Sequence, residues 1–143
     1  EATAKAMTAD GFYVSGDVFR RDADGFHYFT GRVDDMFVSG GENIYPTEVE
    51  RMLERHPAIE QASVIAVPDE LKGAKPVAFV VLHPGKTATA EEIKRFALAN
   101  APAYQHPRRV WTIAALPLSG TNKVDRRALA EDAARRVALD PLV

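Results

Sequence analysis

Hydrophobic positions along the chain fall into short runs of two periodicities, separated by glycine- and proline-rich punctuation. Two strand-like runs, Tyr13–Arg20 and Phe26–Thr30, flank Asp22-Ala23-Asp24-Gly25, whose residues favour a tight turn, so a β-hairpin is expected there. A second hairpin is expected from Met36–Ser39 and Asn43–Tyr45 around Gly40-Gly41. The polar joint Gly31-Arg32-Val33-Asp34-Asp35 lies between the two. Pro46 then opens a helix in which Val49, Met52, Leu53 and His56 recur at i, i+3, i+4 and i+7. Thr47 and Glu50 stand at capping-box spacing, and Pro57 ends the element. Ala62–Val67 and Pro76–Leu82 are apolar, β-branched runs of strand length and read as core strands, with residues 68–73 as the loop between them. Thr89 and Glu92 repeat the capping box and start a helix to about Asn100, with Ile93, Phe96 and Ala97 facing inward. A loop bracketed by Pro102 and Pro107 leads into a strand at Arg109–Ala114. The polar loop Pro117–Lys123 follows, and Asp125 caps a last helix rich in alanine and arginine. Three core strands mixed with three helices predict an α+β fold: a β-hairpin plus a small, mainly antiparallel sheet flanked by about three helices.

Composition narrows the function classes. The 143 residues are 46% hydrophobic, enough for one compact domain with a core. Eighteen Lys+Arg against 20 Asp+Glu give a net charge of −2, so there is no global basic field for nucleic acid. The absence of cysteine excludes disulfides, thiolate catalysis and Cys-based zinc sites. His27, His56, His83 and His106 are scattered without the spacing of a metal site, so no protein-bound metal is expected. No apolar run approaches the ~20 residues of a membrane span, and no signal peptide is visible, which makes the cytoplasm the expected setting. The chain opens Glu1-Ala2-Thr3 without an initiator methionine, as a fragment or a processed protein would.

Three segments are chemically unusual. Ser15-Gly16-Asp17 puts a carboxylate at a glycine bend, where it can accept two hydroxyl hydrogen bonds, as a ribose diol requires; it can equally be a turn aspartate. Gly31 to Asn43 combines a charged joint with paired glycines. Those glycines would let a ligand approach the backbone, or would simply bend a hairpin. The Ser119–Lys123 loop presents a lysine among Ser, Gly, Thr and Asn. Such a lysine can place positive charge on a polyanionic transition state, or be a solvated surface residue. Neither a Gly-x-Gly-x-x-Gly nor a Walker A pattern is present.

Taken in order, Tyr13-Val14-Ser15-Gly16-Asp17, Gly31-Arg32-Val33-Asp34-Asp35, Ser39 through Glu50 and Pro117 through Arg126 resemble the late motifs of the adenylate-forming superfamily. This group includes acyl- and aryl-CoA synthetases, peptide-synthetase adenylation domains and firefly luciferase. The resemblance implies a two-step reaction. A carboxylic acid attacks the α-phosphate of Mg-ATP to give acyl-adenylate and pyrophosphate, and the thiol of coenzyme A then displaces AMP. It also implies a C-terminal lid that rotates between the steps on a large N-terminal adenylation domain, its main partner. Residues 1–33 would be the tail of that large domain and 34–143 the lid. By the same resemblance, Asp17 binds the ribose hydroxyls and Arg32 the nucleotide near ribose and phosphates. Asp34 is the hinge, Gly41 lines the pantetheine tunnel, and Lys123 bridges carboxylate and α-phosphate. Tyr104, His106 and Arg108 lie where CoA ligases place an aromatic and cations around the CoA nucleotide; a plain loop before a strand would account for them equally well.

Two positions depart from the family pattern. Val14 stands where an Arg or Lys usually follows the tyrosine, and Asn122 where glycine usually precedes the lysine; asparagine tolerates left-handed backbone better than most residues. Gly40-Gly41-Glu42-Asn43-Ile44-Tyr45-Pro46 looks like CoA ligases. The other readings are an adenylation domain that loads a carrier protein, or a non-catalytic interaction module with the lid fold. The acyl pocket of the family lies in the large domain, so the chain alone is expected to activate no acid. Aromatic and medium-chain fatty acids both remain candidate substrates.

Overall fold

The computed structural model describes residues 15–142; Tyr13 and Val14 of the first expected strand lie outside them. The first hairpin is β1 (Asp17–Arg21) and β2 (His27–Arg32), antiparallel, with a bulge between Val18 and Phe19. Its turn is held by one side chain. Asp22 Oδ1 accepts from the Asp24 and Phe26 amides at 2.9 and 3.0 Å, and Oδ2 accepts from the Tyr28 hydroxyl at 3.0 Å. Burial pushes the Asp22 carboxyl up, but these hydrogen bonds outweigh it and hold it below its ordinary value. Strand β2 runs to Arg32, so two of the five residues of the polar joint are strand. A 3-10 turn, Val33–Asp35, completes it.

The second hairpin, β3 (Phe37–Ser39) and β4 (Glu42–Ile44), turns on Gly40 and Gly41 at φ of 57° and 87°. Both central residues of a type I′ turn need positive φ, which explains the pair. Helix α1 (Pro46–Glu54) follows. Its expected capping box does not form: Tyr45 is the N-cap without a side-chain cap bond, and Pro46 fills the first helical position. Glu50 is drawn instead to tertiary partners described below. His56 also lies beyond the helix end, where its ring meets Phe96 edge-on at 5.0 Å.

The main sheet has the order β5-β6-β7. Strands β5 (Ile59–Asp69) and β6 (Gly73–Leu82) form a long antiparallel hairpin, so half of the expected loop at 68–73 is strand and only residues 70–72 turn. Helix α2 (Ala90–Asn100) carries the chain over to β7 (Val110–Thr112), which pairs parallel to β6. The sheet is thus mainly antiparallel, and its strand runs are apolar on both faces because both are covered. Ala62, Val64, Ala78 and Val80 face Val49, Met52 and Leu53 of α1 and Ile93 and Ala97 of α2. Ile65, Val67, Val77, Phe79 and Val81 face Leu129 and Ala133 of α3 (Arg126–Leu139). The Thr89–Glu92 capping box forms in full at 3.0 and 3.1 Å, and Asp125 caps α3 through the Ala128 amide at 3.0 Å. The α+β reading holds.

Candidate functional site

The β1–β2 register brings the first two unusual segments together. Asp17 and Arg32 are cross-strand partners, and Arg32 Nη1 donates to Asp17 Oδ1 at 2.9 Å. Arg32 Nη2 also lies 3.7 Å from Asp34 Oδ2. Gly16, at φ 81°, makes room for this: a Cβ there would come within 3.1 Å of Arg32 Nη2. The side chains of Asp17 and Arg32 remain 32% and 47% exposed, so the pair is reachable by a ligand and worth little as a surface ion pair. Among the described residues Asp17 Oδ2 has no hydrogen-bond partner, which leaves an acceptor for a hydroxyl beside a fixed guanidinium. That donor set suits a nucleotide's ribose and phosphates. Asp34 sits in the 3-10 turn immediately after the hairpin, where the chain passes to the rest of the fold.

Gly41 stands at the tip of the second hairpin, and a Cβ there would meet nothing within 4 Å. The glycine is required here by its backbone angle, and its open side leaves room for an approaching chain. Behind it, the Gly40 amide donates to the Lys72 carbonyl at 3.0 Å, and a Cβ at Gly40 would come within 3.6 Å of the Lys72 methylenes.

Tyr104, His106 and Arg108 sit on the segment after α2, which contains a 3-10 turn at Ala103–Gln105. Tyr104 packs on the core beneath α1 and α2. His106 Nδ1 lies 2.7 Å from the Ala103 carbonyl and its Nε2 lies 3.1 Å from Arg108 Nη1. This geometry assigns a neutral ring, with Nδ1–H donating and Nε2 accepting. Burial lowers the His106 pKa, helped by the charges of Arg108, Lys94 and Lys72 and opposed by the Ala103 carbonyl. Arg108 Nε is buried without a partner among the described residues, an unspent donor inside a basic group. The charges of Lys72, in the β5–β6 turn, and Lys94, on α2, act on His106 from positions that nothing local in the sequence marks.

A cleft of about 440 Å³ opens nearby, lined by Arg20, Arg51, Arg55 and Tyr104 among others. Its cations are already engaged: Arg51 Nη1 donates to the Phe29 carbonyl at 3.2 Å and Arg55 Nη2 to that of Asn100 at 3.5 Å.

Lys123 precedes α3, which covers the sheet face opposite the one where Tyr104 packs with α1 and α2. Its carbonyl accepts from the Ser119 amide at 2.7 Å, Leu118 and Val124 bridge antiparallel, and the Asp125 amide donates to the Pro117 carbonyl at 2.8 Å. Asn122 sits at φ 62°, the left-handed conformation that its side chain makes tolerable. The loop is therefore shaped by its backbone, while the exposed Lys123 side chain makes no ion pair or hydrogen bond among the described residues. No cluster of three His, Cys, Asp or Glu side chains that could hold a metal occurs among the described residues. No helix among them is long and apolar enough to cross a membrane.

The family model described as AMP-binding enzyme C-terminal domain matches residues 48–123, ending on Lys123. The chain belongs to this family. It is 49% identical over 110 residues to 4-chlorobenzoate–CoA ligase of a Pseudomonas species, covering 76% of this chain and 21% of that protein. Over 142 residues it is 39% identical to medium-chain fatty-acid–CoA ligase of Escherichia coli, covering 98% of this chain and 25% of that protein. The fold is similar to that of o-succinylbenzoate CoA synthetase from Bacillus subtilis, solved in complex with its acyl-adenylate intermediate. That match has a TM-score of 0.80 and 36% identity over 90% of this chain and 26% of the other. The chain spans about a quarter of the length of the curated relatives it matches.

Proposed function

We propose that this chain acts as the rotating C-terminal lid of an ATP-dependent acyl-CoA synthetase, with residues 1–33 as the tail of the large adenylation domain and Asp34 as the hinge. The observation that carries the reading is the separation of the candidate groups. Lys123 projects from a braced loop that runs into Arg126 at the β5 edge of the main sheet, while His106 and Arg108 lead into β7 at the opposite edge. Two groups held apart on one rigid body cannot serve one reaction centre together, but they can serve it in turn if the body rotates.

In the first step, a carboxylate oxygen of the acid bonds to the α-phosphorus of Mg-ATP and the bond to pyrophosphate breaks. Lys123 would neutralise the charge between carboxylate and α-phosphate, with Asp17 and Arg32 holding the ribose and phosphate side. In the second step, the CoA sulfur attacks the acyl carbon and AMP leaves with the bonding electrons. Gly41 would border the passage for the thiol arm, and Tyr104, His106 and Arg108 would receive the CoA nucleotide, whose phosphates suit a basic surface. The acyl pocket would lie in the large domain, so this chain alone would activate no acid. Aromatic and medium-chain acids are both candidate substrates, in line with the relatives' names.

The test is Lys123→Ala in the full-length enzyme that carries this chain. Loss of one transition-state cation should cut adenylation, followed by pyrophosphate release, by about 100-fold or more while sparing thioester formation from supplied acyl-adenylate. Equal loss in both half-reactions would contradict the reading.

A further inference from the structure

Glu50 reads in sequence as the capping partner of Thr47, yet it reaches a residue 76 positions away. Arg126 Nη2 donates to Glu50 Oε1 and Oε2 at 3.0 and 2.8 Å. Arg126 Nη1 also donates to the Val64 carbonyl at 2.8 Å, and the Val64 amide donates to Glu50 Oε2 at 2.9 Å. Val64 lies in β5, an edge strand of the main sheet. The ion pair thus satisfies both the N–H and the C=O that this edge turns outward, as a neighbouring strand would. The four contacts close a ring joining α1, β5 and the first residue of α3.

That first residue is three positions after Lys123. The Lys123 loop closes on itself through Ser119–Lys123, Leu118–Val124 and Pro117–Asp125, so it moves as a unit. It has two moorings. On the N-terminal side Leu116 is buried in the core under α3, and on the C-terminal side the chain enters Arg126. Without the ring, the loop would hang from Leu116 and the helix start alone.

We propose that Glu50 and Arg126 are positioning residues that fix the Lys123 loop, and with it the lysine ammonium, for the adenylation step. The proposal rests on the reading of Lys123 as the charge-bridging lysine. Neither residue touches the reacting atoms; each acts by where it holds the loop.

The experiment compares Arg126→Gln, Glu50→Gln, the double variant and Lys123→Ala in the full-length enzyme. Small misplacements of a catalytic group are costly, so adenylation kcat should fall about 10- to 100-fold in each clamp variant, with KM for ATP and thioester formation changed less than about twofold. The double variant should be no slower than the slower single one, because both break the same ring. Arg126→Lys, which keeps the charge and a donor but loses the fork, should recover part of the rate and provides the milder probe if Arg126→Gln folds poorly. In this chain, amide exchange at Ser119 and Asn122 should quicken in Arg126→Gln while Val80 in the central strand stays protected. Clamp variants that slow both half-reactions alike, or that leave Ser119 and Asn122 unchanged, overturn the proposal. If Lys123→Ala spares adenylation, it is the lysine assignment that fails.

Discussion

The loop carrying Lys123 and the loop carrying His106 and Arg108 are both short, polar and punctuated by proline or glycine, but they use their cations in opposite ways. At residues 117–125 the backbone hydrogen bonds are spent within the loop and the lysine is left to solvent. At residues 102–108 a 3-10 turn closes with backbone bonds, but side chains add the hold: Tyr104 packs on the core, Gln105 is buried, and His106 is bound by a carbonyl on one nitrogen and a guanidinium on the other. A backbone-braced loop can offer a free charge to a partner's ligand without losing its shape. A loop braced by its side chains couples its charges to the packing, so the fold feels any change in them.

The comparison can be broken or sharpened by substitution. Tyr104→Ala removes a ring packed against the core beneath α1 and α2. It should destabilise this chain by about 2 kcal/mol in urea denaturation, allowing for the ring's partial exposure. A loss below about 0.5 kcal/mol, the range of ordinary surface substitutions, would show that the loop does not depend on that side chain. Asn122→Val forces a β-branched residue into the left-handed region and should cost about 1–2 kcal/mol, whereas Asn122→Gly should be neutral or slightly stabilising. Equal effects of the two would argue that the backbone angle does not brace the Lys123 loop.

Acid should separate the two loops further. The folded chain holds His106 below its ordinary value of 6.5, so between the folded and unfolded values the unfolded chain binds more protons. The contribution of the neutral ring is complete above about pH 6.5 and is lost as pH falls toward the folded value, because a protonated Nε2 can no longer accept from Arg108. Stability measured from pH 7 downward should therefore decline more steeply in the parent chain than in His106→Gln, and the amides of Ser119 and Asn122 should not follow that decline. The smallest effect belongs to Lys123→Ala, which should leave stability within about 0.5 kcal/mol because its side chain holds nothing in place. A larger loss would mean that the lysine serves the fold.

The two expected capping boxes show how far local sequence reaches. Thr89 and Glu92 form theirs because no other partner competes for them. Thr47 and Glu50 have the same spacing, but Pro46 starts the helix two residues early and Arg126 claims the carboxylate. The hairpins about Asp22–Gly25 and Gly40-Gly41 were legible because turn residues carry their own conformational demand. The length of β5 and β6 was not, since Pro68 and Asp69 look like loop residues until Ala74 and Gly73 pair with them.

By itself, then, the sequence determined the α+β class, both hairpins, the cap of α2 and the order of motifs that places the chain among AMP-binding C-terminal domains. These depend on contacts within a few residues or on recurring patterns. Only the tertiary structure decided that Asp17 lies on Arg32, that the charges of Lys72 and Lys94 reach His106, and that Glu50 and Arg126 brace the start of α3. Those pairings span 12 to 76 residues, and their energies depend on distances that a linear pattern does not record.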